Sequence, residues 1–89
     1  MVETKTFEIK NKLGLHARPA AKLVSISSQF KAKVFIEKDG QQVNGKSMLS
    51  VLTMACPQGS RITIRAEGRD AREAVNALER VIEDKFGED

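Results

Sequence analysis

The 89-residue chain carries 15 basic and 12 acidic residues, a net charge of +3, with one histidine and one cysteine. That length predicts a single domain, 1–89, around one core, and a lone thiol excludes an internal disulfide framework and suits a reducing compartment. With no charged-then-apolar leader and no apolar run approaching ~18 residues, neither a signal peptide nor membrane insertion is expected, which makes a cytoplasmic protein the default.

Phe7 and Ile9 alternate with Glu8 and Lys10, the period of a half-buried strand, and Met1–Lys10 reads as its surroundings. After Gly14 the period changes: Pro19, Ala20, Leu23, Val24 and Phe30 recur at three and four, which predicts a helix that begins at or beside His16. Pro19 fits its first turn, where no N–H is required. Ala32, Val34 and Ile36 form a second strand, Asp39-Gly40 signals a hairpin, and Gln41–Val43 returns. Ser47 is placed to cap a short helix containing Met48, Leu49, Val51 and Leu52. Ile62, Ile64 and Ala66 alternate with Arg61, Thr63, Arg65 and Glu67 in a fourth strand, and Ala71, Ala74, Val75, Leu78, Val81 and Ile82 stripe a final helix. Asp70 and Glu73 have the spacing of a capping box at its start. The order βαββαβα, with every strand alternating, predicts an α+β two-layer open-faced sandwich: a four-stranded antiparallel sheet covered on one face by three helices.

Gly14-Leu15-His16-Ala17-Arg18-Pro19-Ala20 stands out chemically. It sets the only histidine at a helix N-terminus, where the amides of Ala17 and Arg18 are unpaired and the positive end of the helix dipole lies behind them. Arg18 can grip phosphate oxygens, Gly14 keeps the approach open, and a neutral imidazole is a good nucleophile toward phosphorus. On residue chemistry alone two readings stand: a phosphate-handling site, or an ordinary helix start with a solvated arginine.

The heptapeptide resembles the active-site signature of the HPr family, the histidine-containing phosphocarriers of the bacterial phosphoenolpyruvate-dependent sugar phosphotransferase system. Val43–Leu52 resembles the regulatory serine region of the same family, and the resemblance runs from about Phe7 to the final helix. It implies that His16 takes a phosphoryl group through Nδ1 from enzyme I and passes it to enzyme IIA components of sugar permeases. Arg18 and the amides of Ala17 and Arg18 would then stabilise the group in flight. Such a protein is a substrate and donor in a relay rather than an enzyme, and it needs no metal or cofactor; His16 and Cys56 make no ligand set. The resemblance further implies phosphorylation of Ser47 by a serine kinase, reversed by a phosphorylase. It also implies a partner-binding face of Leu15, Pro19, Ala21, Val24, Met48, Leu49 and Leu52, with Arg18, Lys22 and Lys46 as a basic rim. A carrier that must keep that face free is expected to be a monomer.

Leu13 departs from the family, where a small polar residue is common before the glycine, and removes any phosphate contact from that side chain. The opening Asn11–Gly14 and the acidic ending Phe86–Asp89 are equally compatible with a nitrogen-branch carrier of the same family. A binding module without phosphoryl chemistry is the remaining alternative. The element order also suits RNA-binding domains, but those stack bases on sheet aromatics. Here the wet positions of the fourth strand are Arg61, Thr63, Arg65 and Glu67, and Trp and Tyr are absent, so no nucleic acid partner is expected.

Overall fold

Each alternating segment becomes a strand with one dry side in the computed structural model, which describes residues 1–88 and leaves Asp89 of the acidic ending outside the described residues. The strands β1 (Val2–Glu8), β2 (Lys33–Lys38), β3 (Gln41–Asn44) and β4 (Arg61–Glu67) form one antiparallel sheet in the order β1-β4-β2-β3. The register puts Phe7 opposite Ile62, Ile36 opposite both Ile64 and Val43, and Val34 opposite Ala66. All of these therefore share one face, and a single contiguous core forms there. Ile36, Ile62 and Ile64 are fully buried, each stabilising the fold by about 1.5–3 kcal/mol relative to an exposed position.

The helices α1 (Ala17–Ser27), α2 (Met48–Leu52) and α3 (Ala71–Glu83) cover that face, giving the βαββαβα open-faced sandwich. On α3 the residues Ala71, Ala74, Val75, Leu78 and Ile82 are buried, and Val81 packs on the rim of the core. Ion pairs from β1 and the strand end fasten its flank, Lys5 to Glu79 at 2.6 Å and Lys10 to Glu83 at 2.7 Å. Both are solvent-exposed and contribute little. Asp39 (φ +52°) and Gly40 (φ +82°) make the expected hairpin turn. The first helix ends at Ser27 rather than reaching Phe30, whose amide bonds the Ser27 carbonyl in a turn. On the open face Thr6 and Thr63 share a hydroxyl hydrogen bond of 2.9 Å. Phe35 stands there under the Arg65 guanidinium, 5.2 Å from the ring centre, and is the one aromatic that the described residues place on that side.

The capping box at Asp70 does not form. Asp70 takes the N-cap position of α3 without a side-chain cap bond; its carboxylate instead accepts from the amides of Lys31 at 2.9 Å and Ala32 at 2.8 Å. Gly68 explains the choice. At φ +147° it packs so tightly on Ala32 that an added Cβ would lie 2.8 Å from the Ala32 Cα. The α1–β2 turn is thereby pressed against the β4–α3 connection, and its amides take the carboxylate that the helix would otherwise use.

These amides, Lys31's foremost, hold the Asp70 carboxyl below its ordinary value. A carboxyl held low contributes stability above its unfolded value and loses it as pH falls through the folded one. Asp70→Ala is expected to melt below wild type near neutral pH, with the gap closing as pH falls below the ordinary carboxyl range and through the lowered folded value. A gap that persists unchanged in acid would rule out this staple.

Candidate functional site

The stretch between β1 and α1 is folded by backbone contacts. Ile9 extends the β1–β4 ladder through Ser60 and Gly59, and the Leu15 amide bonds the Cys56 carbonyl at 2.9 Å. Gly14 lies between them at φ +72°, and a Cβ there would fall 2.3 Å from the Cys56 oxygen and 2.8 Å from the Pro57 Cα. The expectation that Gly14 keeps a ligand approach open is corrected: it is buried, and its bare Cα is required by the neighbouring loop. Cys56 is buried with a free thiol, and burial pushes that thiol up from the ordinary value.

That packing delivers His16 to the N-cap position of α1 with extended backbone (φ −84°, ψ −168°). The amide of Ala20 closes the first turn on the His16 carbonyl at 3.0 Å. The N–H groups of Ala17 and Arg18 are left open at the helix end, and Pro19 has none. No acidic residue occupies the first turn. Arg18 is exposed and forms no ion pair among the described residues.

The acid at this helix end comes from the other terminus. Beyond α3, the turn Lys85–Gly87 buries Phe86 (1% exposed) and brings Glu88 back to the ring. The His16 Nε2 lies 3.0 Å from Oε1 and 3.2 Å from Oε2 of Glu88. Asn11, fully buried, donates from Nδ2 to Glu88 Oε1 at 2.8 Å and to the Gly14 carbonyl at 2.6 Å. With a carboxylate at Nε2, the proton of the neutral ring belongs on Nε2 and the lone pair on Nδ1. No described residue hydrogen-bonds Nδ1, and the side chain is 38% exposed. The hydrogen bond from His16, then that from Asn11, with the charge of Arg18 nearby, hold the Glu88 carboxyl below the usual carboxylate range.

Two residues expected on the partner face lie in the interior. Leu15 is 6% exposed and Pro19 is fully buried, because the loop and the first helical turn roll their apolar side chains onto the sheet. Ala21 is exposed, Val24 and Met48 are half-buried against the core, and Leu49 (77%) and Leu52 (44%) are exposed. The basic rim is also altered. Lys22 donates its ammonium to the Phe86 carbonyl and Lys46 to the Phe30 carbonyl, so both tie down turns rather than standing free.

Ser47 caps α2 as expected: its Oγ accepts from the Ser50 amide at 3.2 Å. Lys46 fastens this cap beside Phe30, past the far end of α1 from His16. Sequence reasoning missed Glu88 and Asn11. The only local signal was Phe86, an apolar residue past the end of the α3 stripe.

A family model described as PTS HPr component phosphorylation site matches residues 3–84. The chain is 48% identical to HPr-like protein Crh of Halalkalibacterium halodurans over 93% of this chain and 98% of that protein. It is 42% identical to phosphocarrier protein HPr of Xylella fastidiosa, over 91% of each. The crystal structure of HPr-C-His from Thermoanaerobacter tengcongensis superposes with a TM-score of 0.94 at 46% identity, covering 98% of both chains.

Gly14→Ala forces a side chain into a left-handed position and against two backbones. It is expected to lower unfolding free energy by about 2–4 kcal/mol in a denaturant melt. An unchanged midpoint would show that the loop relaxes without cost.

Proposed function

The chain belongs to the HPr family of phosphotransferase-system phosphocarriers, and from that premise we propose that His16 accepts a phosphoryl group on Nδ1 from phosphorylated enzyme I and delivers it to enzyme IIA domains of sugar permeases. The observation that supports this most is the half-exposed His16 ring at an open helix N-terminus, with Nε2 engaged by Glu88 and Nδ1 without a partner among the described residues.

The Nδ1 lone pair attacks phosphorus as the bond from phosphorus to the donor nitrogen breaks and its electron pair returns to the donor. Charge spread over the three equatorial oxygens is met by the Ala17 and Arg18 amides and the Arg18 guanidinium. Onward transfer runs the same step in reverse, with the acceptor as nucleophile. The chain positions the group and is itself substrate and donor, with no cofactor or metal in either step.

Docking in this reading uses Ala21, Val24, Met48, Leu49 and Leu52, an apolar surface that methionine adapts to several partners. The protein works as a cytoplasmic monomer, because the same face must be vacated after each transfer. Ser47 accepts a second phosphate from a serine kinase, removed by a phosphorylase. About −1.5 to −2 charges at that cap repel an acidic partner surface from the α2 side.

Incubation with enzyme I and phosphoenolpyruvate is expected to add one acid-labile phosphoryl group by intact mass, and none to His16→Ala. Arg18→Ala is expected to react about a hundredfold more slowly. Acid-labile uptake by His16→Ala would refute the assignment. Delivery to nitrogen-branch rather than sugar IIA domains would replace the acceptor and leave the His16 chemistry as stated. Ser47→Asp is expected to keep the wild-type melting temperature and lose about tenfold or more in uptake from enzyme I; equal rates would remove the regulatory role.

A further inference from the structure

Building on the phosphohistidine reading above, we propose that Glu88 is the positioning residue of this site: its carboxylate selects the His16 nitrogen that reacts and balances the positive charge that the ring acquires on phosphorylation.

The geometry is that of a seated pair rather than a passing contact. Both carboxylate oxygens lie within reach of one ring nitrogen, at 3.0 and 3.2 Å. The carboxylate is itself held by Asn11 at 2.8 Å, whose side chain is fully buried and also bonds the Gly14 carbonyl at 2.6 Å. Glu88 is thus tied to the loop that sets the His16 backbone. The terminal turn that carries it is equally fixed. Lys85 (φ +54°), Phe86 (φ +57°) and Gly87 (φ +75°) are three successive left-handed residues. Two of them bear side chains, for which that conformation is unfavourable. The burial of Phe86 and the bond from Lys22 to its carbonyl hold the turn in place.

The charge balance of the reaction gives this arrangement its use. The neutral ring begins with a proton on Nε2 and a lone pair on Nδ1. When the bond from Nδ1 to phosphorus forms and the donor takes back its electron pair, no proton leaves the ring. The ring therefore becomes an imidazolium, with its N–H directed at the Glu88 carboxylate. The counter-charge is in place before phosphorus arrives, so little reorganisation is needed. On delivery the electron pair of the breaking bond stays on Nδ1 and the ring is neutral again. A ring held protonated at Nε2 is the better leaving group, and Nε2 itself is withheld from phosphorus.

The test uses Glu88→Gln, which keeps the shape, removes the charge and adds an N–H that can face Nε2. Nitrogen-15 shifts of the unphosphorylated neutral His16 ring are expected to show the Nε2–H tautomer in wild type and a mixture in the variant. Uptake from enzyme I is expected to fall about tenfold, the worth of one part-exposed charge-assisted hydrogen bond, in kcat rather than KM. Part of the phosphoryl group should appear on Nε2. The melting temperature identifies any loss that is merely structural. A wild-type tautomer ratio and wild-type kcat in Glu88→Gln overturn the role of Glu88 and leave the carrier reading standing, provided His16→Ala takes up nothing. If wild type takes up no phosphate, the carrier reading fails instead, and the tautomer ratio alone decides whether Glu88 selects the nitrogen.

Discussion

The site depends on one close passage of backbone. Gly14 presses its bare Cα onto the Cys56–Pro57 peptide, and Leu15 bonds the Cys56 carbonyl. This seam joins the loop after β1 to the loop before β4, and the ladder bonds of Ile9 continue it from the sheet. The start of α1 is therefore fixed by the sheet rather than by a capping side chain, since His16 makes no cap bond. Freedom from capping is what leaves the imidazole available for the proposed transfer. Asparagine or aspartate at that position would spend its side chain on the helix amides.

Periodicity carried most of the fold. Strand alternation, the Asp39-Gly40 turn, the Ser47 cap and the α3 stripe each depend on residues a few positions apart, and local stereochemistry decides them. The motif around His16 was legible for the same reason. Glu88 was not: it lies 72 positions from His16, and only the burial of Phe86 and a left-handed turn return it to the ring. Nothing in Phe-Gly-Glu specifies that return without the groove that receives the phenyl ring. Leu15 and Pro19, which the family resemblance puts on the partner face, pack inward instead, because their burial depends on the sheet beneath the first helical turn and not on the motif itself. Asp70 had the local spacing of a cap but was captured by amides from a turn 38 positions away, a competition that depends on Gly68 and Ala32 meeting.

The lysines show a related economy. Lys22 and Lys46 each place an ammonium on a carbonyl that no helix or strand satisfies. Arg18 stands without an ion pair among the described residues. The Arg18 charge acts on the Glu88 carboxylate, while the exposed surface of Leu49 and Leu52 is apolar. In the proposed relay, orientation at the ring and adhesion to partners are separate properties, carried by different residues.

A single available nitrogen on a single half-exposed ring also fixes the order of events in the proposed relay. Donor and acceptor must place their own reactive atoms at the same point, so they exclude one another and no ternary assembly can form. Throughput then rises with the number of carrier molecules in circulation and with how quickly each complex comes apart. Tighter binding to either side slows the traffic once dissociation becomes the slow step. Such a protein is expected to gain more from abundance than from affinity.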